Sequence, residues 1–266
     1  MSRPAPTVSL FTVLSLSVLS GVAAQTPPVR VSTGVAPGSA GTFPPRLAAA
    51  DGREVYAVWT DMRNGVREVV VFNRSLDGGN SWLPQAQRID AGTSNSFDAD
   101  LAVAGNSVFA VYRNSRLGND HIYVNRSLDR GVTWSATDTK IDHAPQFTPC
   151  SEQVIAAAGS AVYVCWLDQR SGEYDLWFNR SLDRGSTWLP EEVRLDIGQA
   201  SLTYRPRIAC AGSAVYVVYE DVRNNTAGIW FNRSLDQGST WLMPDVRIDS
   251  GNPGIDPQIV VVDSAI

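Results

Sequence analysis

The chain alternates short apolar runs with turn-forming residues. In the first repeat the runs are Leu47–Ala50, Val55–Trp59 and Val69–Phe72, and a mixed run, Gln87–Asp90, closes the unit. Short runs rich in Val, Ile, Tyr, Phe and Trp and bounded by turn residues predict β-strands. No segment has a helical period of useful length. The middle runs are apolar on both faces, which predicts strands buried between stacked sheets.

The same order of runs returns three times along the chain. The later second runs are Val108–Tyr112, Val162–Trp166 and Val215–Tyr219. The later third runs are Ile122–Val124, Leu176–Phe178 and Ile229–Phe231, and the later fourth runs are Thr139–Asp142, Val193–Asp196 and Val246–Asp249. This pattern predicts an all-β fold, a β-propeller of four-stranded antiparallel blades at about 45–90, 99–142, 153–196 and 206–249. A right-handed β-solenoid is the alternative, although its repeats are usually much shorter.

One eight-residue stretch, Ser-Leu-Asp-x-Gly-x-Ser/Thr-Trp, marks every repeat. Its aspartates are Asp77, Asp129, Asp183 and Asp236, at spacings of 52, 54 and 53 residues, and its tryptophans are Trp82, Trp134, Trp188 and Trp241. An Asp carboxylate accepts backbone N–H groups of a tight turn, Gly supplies a positive φ, and Trp pins the turn to an apolar core. We therefore expect these residues to be structural.

The two ends of the propeller region match incomplete repeats. Residues 29–32 match a fourth strand, and residues 257–263 match the first strand of a further repeat. The sequence thus predicts four complete blades and a partial one. Because proteins normally avoid unpaired strand edges, we expect that the sequence is truncated relative to a longer chain. Self-association through the incomplete blade is the other expectation.

The N-terminus has the pattern of an export signal. Arg3 is followed by an apolar run from Val8 to Val22 and by the small residues Ala23 and Ala24. This pattern predicts a signal peptide over residues 1–24, cleaved after Ala24, and a secreted or periplasmic propeller over 25–266. A membrane anchor is the alternative, but the run is short and rich in Ser.

The net charge and the cysteine content limit the classes of partner and cofactor that the sequence predicts. The formal net charge is −5 and Lys140 is the only lysine, so the basic stripe typical of nucleic-acid binders is missing. Cys150, Cys165 and Cys210 do not recur from repeat to repeat, and we expect buried apolar thiols, with a Cys150–Cys165 bridge as the alternative. The two histidines show no ligand spacing with them, so neither a metal nor another cofactor is expected.

Connectivity places candidate site residues at one end of the blades. If the first strand of each blade is innermost, these strands begin at the mouth of the axial channel. That end collects Arg46, Asp98, Asp100, Glu152, Tyr204, Arg205 and Arg207. It also collects an Asp/Asn-x-Arg loop in each blade, beginning at Asp61, Asn114, Asp168 and Asp221.

These candidates are of two kinds. The Asp/Asn-x-Arg pair recurs in every blade, which favours a structural role for it. Arg46, Glu152, Tyr204, Arg205 and Arg207 each occur in one blade only, as an asymmetric ligand requires. A solvated rim is the alternative interpretation. Arg grips a carboxylate through two parallel N–H bonds, so the cluster favours an acidic ligand such as a sialylated glycan.

The repeated Ser-x-Asp-x-Gly-x-Thr-Trp motif, after a Trp/Tyr-x-Asp-x-Arg turn, resembles the Asp-box (BNR) repeat of the sialidase superfamily. The resemblance covers about residues 29–266 and implies a sialidase-like β-propeller. It also implies an arginine triad that grips the substrate carboxylate, a Tyr nucleophile paired with a Glu, and an Asp general acid. Asp boxes also occur in propellers without sialidase activity, so fold resemblance alone does not establish function.

The family's site residues match only in part. The Arg-Ile-Pro motif of sialidases is replaced by Pro45-Arg46-Leu47, so Arg46 is at best a displaced substitute. Arg63 matches the Arg of the Asp-x-Arg turn. The following loop holds no Asp, and Glu68 is a weak stand-in for the acid. The Tyr nucleophile and the third Arg belong to late blades that this sequence lacks.

The sequence therefore supports two hypotheses about function. The favoured one is a secreted propeller that binds a glycan or a protein, without intact catalytic machinery. The candidate ligand-binding residues are Arg46, Arg63, Asp98, Glu152, Tyr204, Arg205 and Arg207. The alternative is an exo-α-sialidase-type glycoside hydrolase, or a fragment of one, that removes terminal sialic acids.

Overall fold

The computed structural model describes residues 28–33, 44–50, 52–62, 67–196, 202–223, 225–250 and 255–262. These residues form sixteen strands in four four-stranded antiparallel sheets, which confirms the predicted all-β fold with four complete blades. No helix in this part of the chain is long and apolar enough to cross a membrane. The predicted signal peptide and its cleavage site lie outside the described residues.

The strands follow the chain order of the repeat. Blade 1 contains β1 (Arg46–Ala50), β2 (Glu54–Asp61), β3 (Val69–Ser75) and β4 (Gln87–Arg88). Blade 2 contains β5 (Ser96–Ala104), β6 (Ser107–Asn114), β7 (His121–Ser127) and β8 (Thr139–Lys140). Blade 3 contains β9 (Cys150–Ala158), β10 (Ala161–Asp168), β11 (Asp175–Ser181) and β12 (Val193–Arg194). Blade 4 contains β13 (Leu202–Ala211), β14 (Ala214–Arg223), β15 (Thr226–Ser234) and β16 (Val246–Arg247).

Each sheet is a meander in which every strand pairs with the next one along the chain. The fourth strands are two residues long, so the predicted four-residue runs were too long. An Asp side chain explains the early end of the ladder. After Ile89 donates its N–H to Val70 O (3.0 Å), Asp90 Oδ1 accepts the N–H of Val70 (3.1 Å) in place of a backbone carbonyl.

The hydrophobic core consists of layers between consecutive blades. One layer joins Tyr56 and Phe72 of blade 1 to Leu101 and Tyr112 of blade 2, and corresponding layers join blade 2 to blade 3 and blade 3 to blade 4. The first strands contact each other in chain order and are therefore innermost. The second and third strands of blades 1 to 3 are buried on both faces, as their apolar sequences predict, whereas the third strand of blade 4 is only half-buried.

The Asp-box turn is closed by its own hydrogen bonds. In blade 2, Ser127 Oγ donates to Asp129 Oδ1 (2.7 Å), and the N–H and hydroxyl of Thr133 donate to Oδ1 (2.8 Å) and Oδ2 (2.6 Å). Ser127 Oγ also accepts the N–H of Gly131 at 2.8 Å. The boxes around Asp77, Asp183 and Asp236 repeat these contacts. The carboxylates are thus occupied by their own turns.

Each Asp-box turn also packs on the blade before it. Trp241 meets Phe178 of the preceding blade edge to face, with ring centroids 4.8 Å apart. Gly238 lies against the same ring, where a Cβ would come within 2.6 Å of Phe178 Cζ. The guanidinium of Arg180 donates to the carbonyl of Gln237 in that turn. Glycine, tryptophan and arginine therefore form one junction, which recurs between blades 1 and 2. Between blades 2 and 3 the arginine contact and the partly buried tryptophan are kept, but Val124 replaces the phenylalanine and Gly185 has only ordinary van der Waals contacts.

A buried asparagine completes each junction. Asn125 Nδ2 donates to Ile89 O (2.7 Å), the last core residue of the preceding blade, and Asn125 is 2% exposed. Asn73, Asn179 and Asn232 are equally buried and equally bonded. These four asparagines begin the Asn-Arg-Ser sequons of the repeat. In the folded protein they are inaccessible to glycosylation.

The described terminal segments are not strands. The sequence predicts strands at 29–32 and 257–263, but neither 28–33 nor 255–262 forms a ladder, and residue 263 lies outside the description. The reason is that a strand needs a hydrogen-bonded neighbour, and these segments match a fourth and a first strand without the second and third strands that would pair with them among the described residues. The predicted register of 29–32 still holds. Val31 O accepts the amide of Asn73 at 2.7 Å, in the place that Ile89 takes in the next blade.

The trailing face of blade 4 lacks these junction contacts within the described chain. Phe231 is partly exposed and Arg233 is exposed, whereas Phe72 and Phe178 at the same repeat position are fully buried. Ile248 is 55% exposed, against 3% for Ile89. The expectation that a second copy covers such an incomplete end stays a prediction.

The three cysteines are free thiols, and Cys150 and Cys165 are buried. Those two side chains belong to different core layers on opposite faces of blade 3, so the alternative disulfide is wrong. Burial raises the pKa of the Cys210 thiol to about 11, which keeps that thiol protonated and unreactive at neutral pH.

The junction predicts a difference between two glycine variants of blade 4. Both Gly238 and Gly212 have positive φ, but only Gly238 faces an aromatic ring, and Gly212 has nothing within 4 Å of an added Cβ. Gly238→Ala should therefore lower the free energy of unfolding by about 1–3 kcal/mol more than Gly212→Ala, through overpacking. Denaturant unfolding measures both variants. Equal losses would show that the junction tolerates a methyl group.

The Asp-box carboxylates predict a defined loss of stability in acid. The hydrogen bond from Thr133 Oγ1, with others, lowers the pKa of Asp129 to about 2. A folded pKa below the ordinary value of about 3.9 means that this stability is present above pH ~4 and is lost as the pH falls toward 2. Between these pH values, Asp129→Asn should show a shallower fall in melting temperature than the unmodified protein. Parallel curves would contradict this account.

Candidate functional site

A cavity of about 560 Å³ opens where the first strands of all four blades begin. Its walls are mostly polar or charged, with a few apolar side chains. The lining residues are Pro44, Arg46, Thr60, Asp98, Ala99, Ser151, Glu152, Gln153, Val154, Arg205, Arg207, Ile255 and Asp256. This is the axial end that connectivity predicts for a site, and its size suits a small ligand.

The structure brings five of the seven predicted ligand-binding residues together in this cavity: Arg46, Asp98, Glu152, Arg205 and Arg207. Tyr204 is not part of the lining, although it precedes Arg205. Arg63 lies outside the described residues. Glu68 also lies away from the lining, and burial followed by the charge of Asp98 raises the pKa of its carboxyl.

A β-bulge aims the rim side chains into the cavity. In blade 2, Asp98 and Ala99 together oppose the single residue Tyr112, because the register shifts between Phe97 and Asp100. The same shift places Glu152 with Gln153 opposite Trp166, and Arg205 with Pro206 opposite Tyr219. A bulge bends its strand and redirects a side chain, and bulges are frequent beside functional sites.

The first residue of each bulge has a left-handed backbone without being glycine. The φ angles are 51° for Asp98, 53° for Glu152 and 50° for Arg205, and Asp256 at the corresponding position has 57°. Such a conformation costs about 1–3 kcal/mol for a residue other than glycine and clusters at functional sites. The four rim residues are therefore strained, and every one of them bears a charged side chain.

A second ring of side chains lies deeper, two residues further along each first strand. It contains Arg46, Asp100, Val154 and Arg207, so cationic, anionic and apolar groups alternate around the axis. Asp100 lies behind Arg46, with 4.0 Å between Asp100 Oδ1 and Arg46 Nε. Its other oxygen accepts the N–H of Ile155 from the next blade at 3.2 Å.

Burial raises the pKa of Asp100 to about 6, although hydrogen bonds from Ile155 and Leu101 and the charges of Arg46 and Arg207 act in the opposite direction. One-fifth of the side chain remains exposed. A carboxyl with a raised pKa beside a cavity has the property that a general acid needs near neutral pH.

Two of the three lining arginines are already paired with carboxylates. Arg205 Nη1 donates to Glu220 Oε2 at 2.6 Å, and Arg207 Nη2 donates to Asp256 Oδ1 at 2.9 Å. Arg46 is the exception, since its side chain is 56% exposed and its contact with Asp100 is long. The expected group of free arginines is therefore replaced by a wall in which the charges largely balance.

The recurring Asp/Asn-x-Arg loops have a structural geometry. Arg170 donates to Asp168 Oδ2 (2.6 Å) and Glu192 Oε2 (3.0 Å), and its guanidinium lies 3.9 Å from the centroid of the Trp177 ring. Corresponding contacts hold Arg116 on Tyr123 and Arg223 on Trp230. These arginines are enclosed between carboxylates and an aromatic ring within one blade. They are not available to a ligand.

Several lining residues escaped the sequence reasoning. Asp256 was within reach, because Asp256-Pro257 aligns with Arg205-Pro206 when the repeats are superposed. The sequence gives no reason to select Thr60 or Gln153, because neither Thr nor Gln is a residue type that by itself indicates a functional site. In the part of the chain that the structure describes, no cluster of His, Cys, Asp and Glu is arranged to hold a metal ion.

The strained backbone at the rim predicts that glycine and alanine variants have the opposite order of stability there from the order on an ordinary strand. Glu152→Gly and Glu152→Ala both lose the hydrogen bond from Arg205 N (2.5 Å), but only glycine relieves the positive φ. The glycine variant should be more stable by about 1–2 kcal/mol. At Thr139, which lies on an outer strand, alanine should be the more stable of the same pair. The free energy of unfolding in denaturant gives both differences, and the same order at both positions would exclude strain.

No protein-family model and no curated protein sequence matches the chain. Solved structures do resemble it. A Hadza microbial sialidase has a TM-score of 0.56 at 15% identity over 79% of this chain, and Trypanosoma rangeli sialidase has 0.52 at 17% over 76%. An α-L-arabinofuranosidase from Fusarium graminearum has a TM-score of 0.53 at 17% identity over 74% of this chain.

The match spans 46% of the Hadza sialidase, 37% of the Trypanosoma rangeli enzyme and 63% of the arabinofuranosidase. At these identities the similarity establishes the fold alone. The chain is an all-β propeller of the kind found in sialidases and other glycoside hydrolases.

Proposed function

We propose that the protein is a carbohydrate-binding propeller whose ligand occupies the axial cavity. The observation that carries this proposal is the composition of the wall. Arginine donors and carboxylate acceptors both line the mouth, and Pro44, Ala99, Val154 and Ile255 add apolar surface. A sugar presents hydroxyl groups at its edge and C–H groups on its faces, so this mixture suits it.

The strained rim supports a binding role. Charged residues stand at left-handed positions in three different blades, where glycine would cost less. Such strain persists where the surrounding structure imposes it, and it is frequent at ligand sites. The predicted export signal, if cleaved as expected, would bring this site to glycans outside the cytoplasm.

The paired arginines weigh against a sialidase-like grip on a carboxylate. A ligand carboxylate that took Arg205 or Arg207 would have to displace Glu220 or Asp256 from a short ion pair. Glu220 is buried, so leaving it without its partner is costly, whereas Asp256 is exposed and its pair with Arg207 contributes less. In addition, Tyr204 lies away from the lining. For these reasons we place sugar binding ahead of sialic acid hydrolysis.

Hydrolysis of a glycosidic bond is the second candidate, and one observation favours it. Asp100 lies behind the lining residue Arg46, and burial raises its pKa to about 6, so much of it stays protonated in mildly acidic solution. In that state it would donate a proton to a leaving-group oxygen. Carboxylates on the rim, Asp98 and Glu152, would then be the partners of such an acid.

Calorimetric titration of the purified protein with a panel of monosaccharide and disaccharide glycosides tests the proposal. Arg46 is the lining arginine with the weakest internal contact, so Arg46→Met should lower sugar affinity about tenfold, the loss expected for a charge-assisted hydrogen bond. Arg30→Met removes an exposed arginine that is not part of the lining and should leave the affinity unchanged. A folded protein that binds no member of the panel would refute the proposal.

The same preparation tests hydrolysis with chromogenic arabinofuranosides and a fluorogenic sialoside. If Asp100 is the acid, turnover falls as the pH rises through about 6, because the proton that it donates is lost. Asp100→Asn should then abolish turnover with little change in affinity. Turnover that survives this substitution would exclude Asp100 as the acid.

A further inference from the structure

Two buried polar atoms of the cavity wall have no hydrogen-bond partner among the described residues. They are Thr60 Oγ1 and Gln153 Oε1, on side chains that line the cavity. Thr60 is 2% exposed and Gln153 is 4% exposed. Buried polar groups are nearly always hydrogen-bonded, so these two atoms are positions in one wall where a bound group would supply the missing partners.

The chemistry of Gln153 defines what that group must be. Its amide nitrogen donates to two carbonyls of the neighbouring bulge, Phe97 O (3.3 Å) and Asp98 O. An amide flipped end for end would place its oxygen against those carbonyls, so the orientation is fixed. Gln153 Oε1 is therefore an acceptor only, and its partner must be a donor. A hydroxyl group meets this need, whereas an ionised carboxylate does not.

The Thr60 side chain lines the cavity without a partner for its hydroxyl, because blade 1 lacks an ion pair that two other blades have. The corresponding residues in blades 2 and 4 are Arg113 and Glu220, which bond to the rim residues of their own blades, Asp98 (2.6 Å) and Arg205 (2.6 Å). The rim position of blade 1 is Pro44, which offers no polar side chain. Thr60 is thus left with a hydroxyl that both donates and accepts.

We propose that Thr60 and Gln153 together bind hydroxyl groups of a sugar, and that the cavity takes neutral glycans in preference to sialylated or other acidic ones. The inference rests on the proposed sugar-binding function of the cavity and names its ligand class. Because neutral and acidic sugars both carry hydroxyl groups, the preference rests on charge: Arg205 and Arg207 are already paired with Glu220 and Asp256, and the carboxylates of Asp98 and Glu152 also line the cavity. A neutral ligand leaves both ion pairs intact.

The experiment uses Thr60→Val, which keeps the shape of the side chain and removes the hydroxyl, and Thr60→Ser, which restores it. Calorimetry with neutral methyl glycosides and with N-acetylneuraminic acid measures binding, and denaturant unfolding measures stability. Thr60→Val should weaken binding of the neutral sugar about tenfold, while the unfolding midpoint stays equal or rises because an unpaired buried hydroxyl is gone. Thr60→Ser should recover most of the affinity.

Each other outcome has a distinct meaning. Tighter binding of N-acetylneuraminic acid than of every neutral glycoside would overturn the inference and leave the sugar-binding function standing. Neutral binding that Thr60→Val does not change would also overturn it. Failure of every saccharide to bind a folded protein would refute the proposed function itself, and the inference with it. A joint loss of binding and stability in Thr60→Val would show a packing role in place of recognition.

Discussion

The packing of the Asp-box turns of blades 2, 3 and 4 on the preceding blade is the constraint on which the rest of the structure depends. In two of these three junctions the turn meets a phenylalanine ring, which it can approach only where it has no Cβ, as at Gly238 against Phe178. Its positive φ is set by the carboxylate that gathers the N–H groups of the turn. Local hydrogen bonding and blade-to-blade packing are therefore one feature, and a change at the glycine disturbs both.

This junction also determines where the axial site lies. Because successive blades are fixed near their outer turns by arginine, glycine and tryptophan, their first strands are brought together around one axis. The bulges then direct Asp98, Glu152 and Arg205 to the same mouth. The structural end of the blade is nearly identical from repeat to repeat, whereas the mouth is built from positions where the repeats differ. The strained backbone at that mouth persists because the rigid blades on either side hold it.

The fold could be predicted from the sequence because its signals repeat. Four copies of the box and of the buried strands are enough to predict the blades and the core from the residues alone, whereas the position of the first strands at the axis is only a condition, which the structure meets. The site could be predicted only in part. The sequence identifies the residues that occur in one repeat only, which are Arg46, Asp98, Glu152, Arg205 and Arg207. It does not identify the partners with which they form ion pairs. Arg207 meets a partner 49 residues away, Asp256, and a contact at that distance depends on how two segments fold against each other.

The ion pairs of Arg205 and Arg207 change the ligand class that the lining residues predict. From sequence alone, three arginines at one mouth indicate an anionic ligand. In the structure, Glu220 and Asp256 satisfy two of them, Arg46 keeps only a long contact with Asp100, and the buried polar atoms of the wall without partners are neutral ones, on Thr60 and Gln153. A ligand binds more readily to polar groups that lack hydrogen-bond partners than to charged groups that are already paired. Breaking a pair that holds a buried carboxylate costs free energy. A repeat fold leaves a polar group without a partner where one blade differs from the others. In blade 1, proline and threonine occupy the two positions that form an ion pair in blades 2 and 4, so the threonine hydroxyl is left for the ligand.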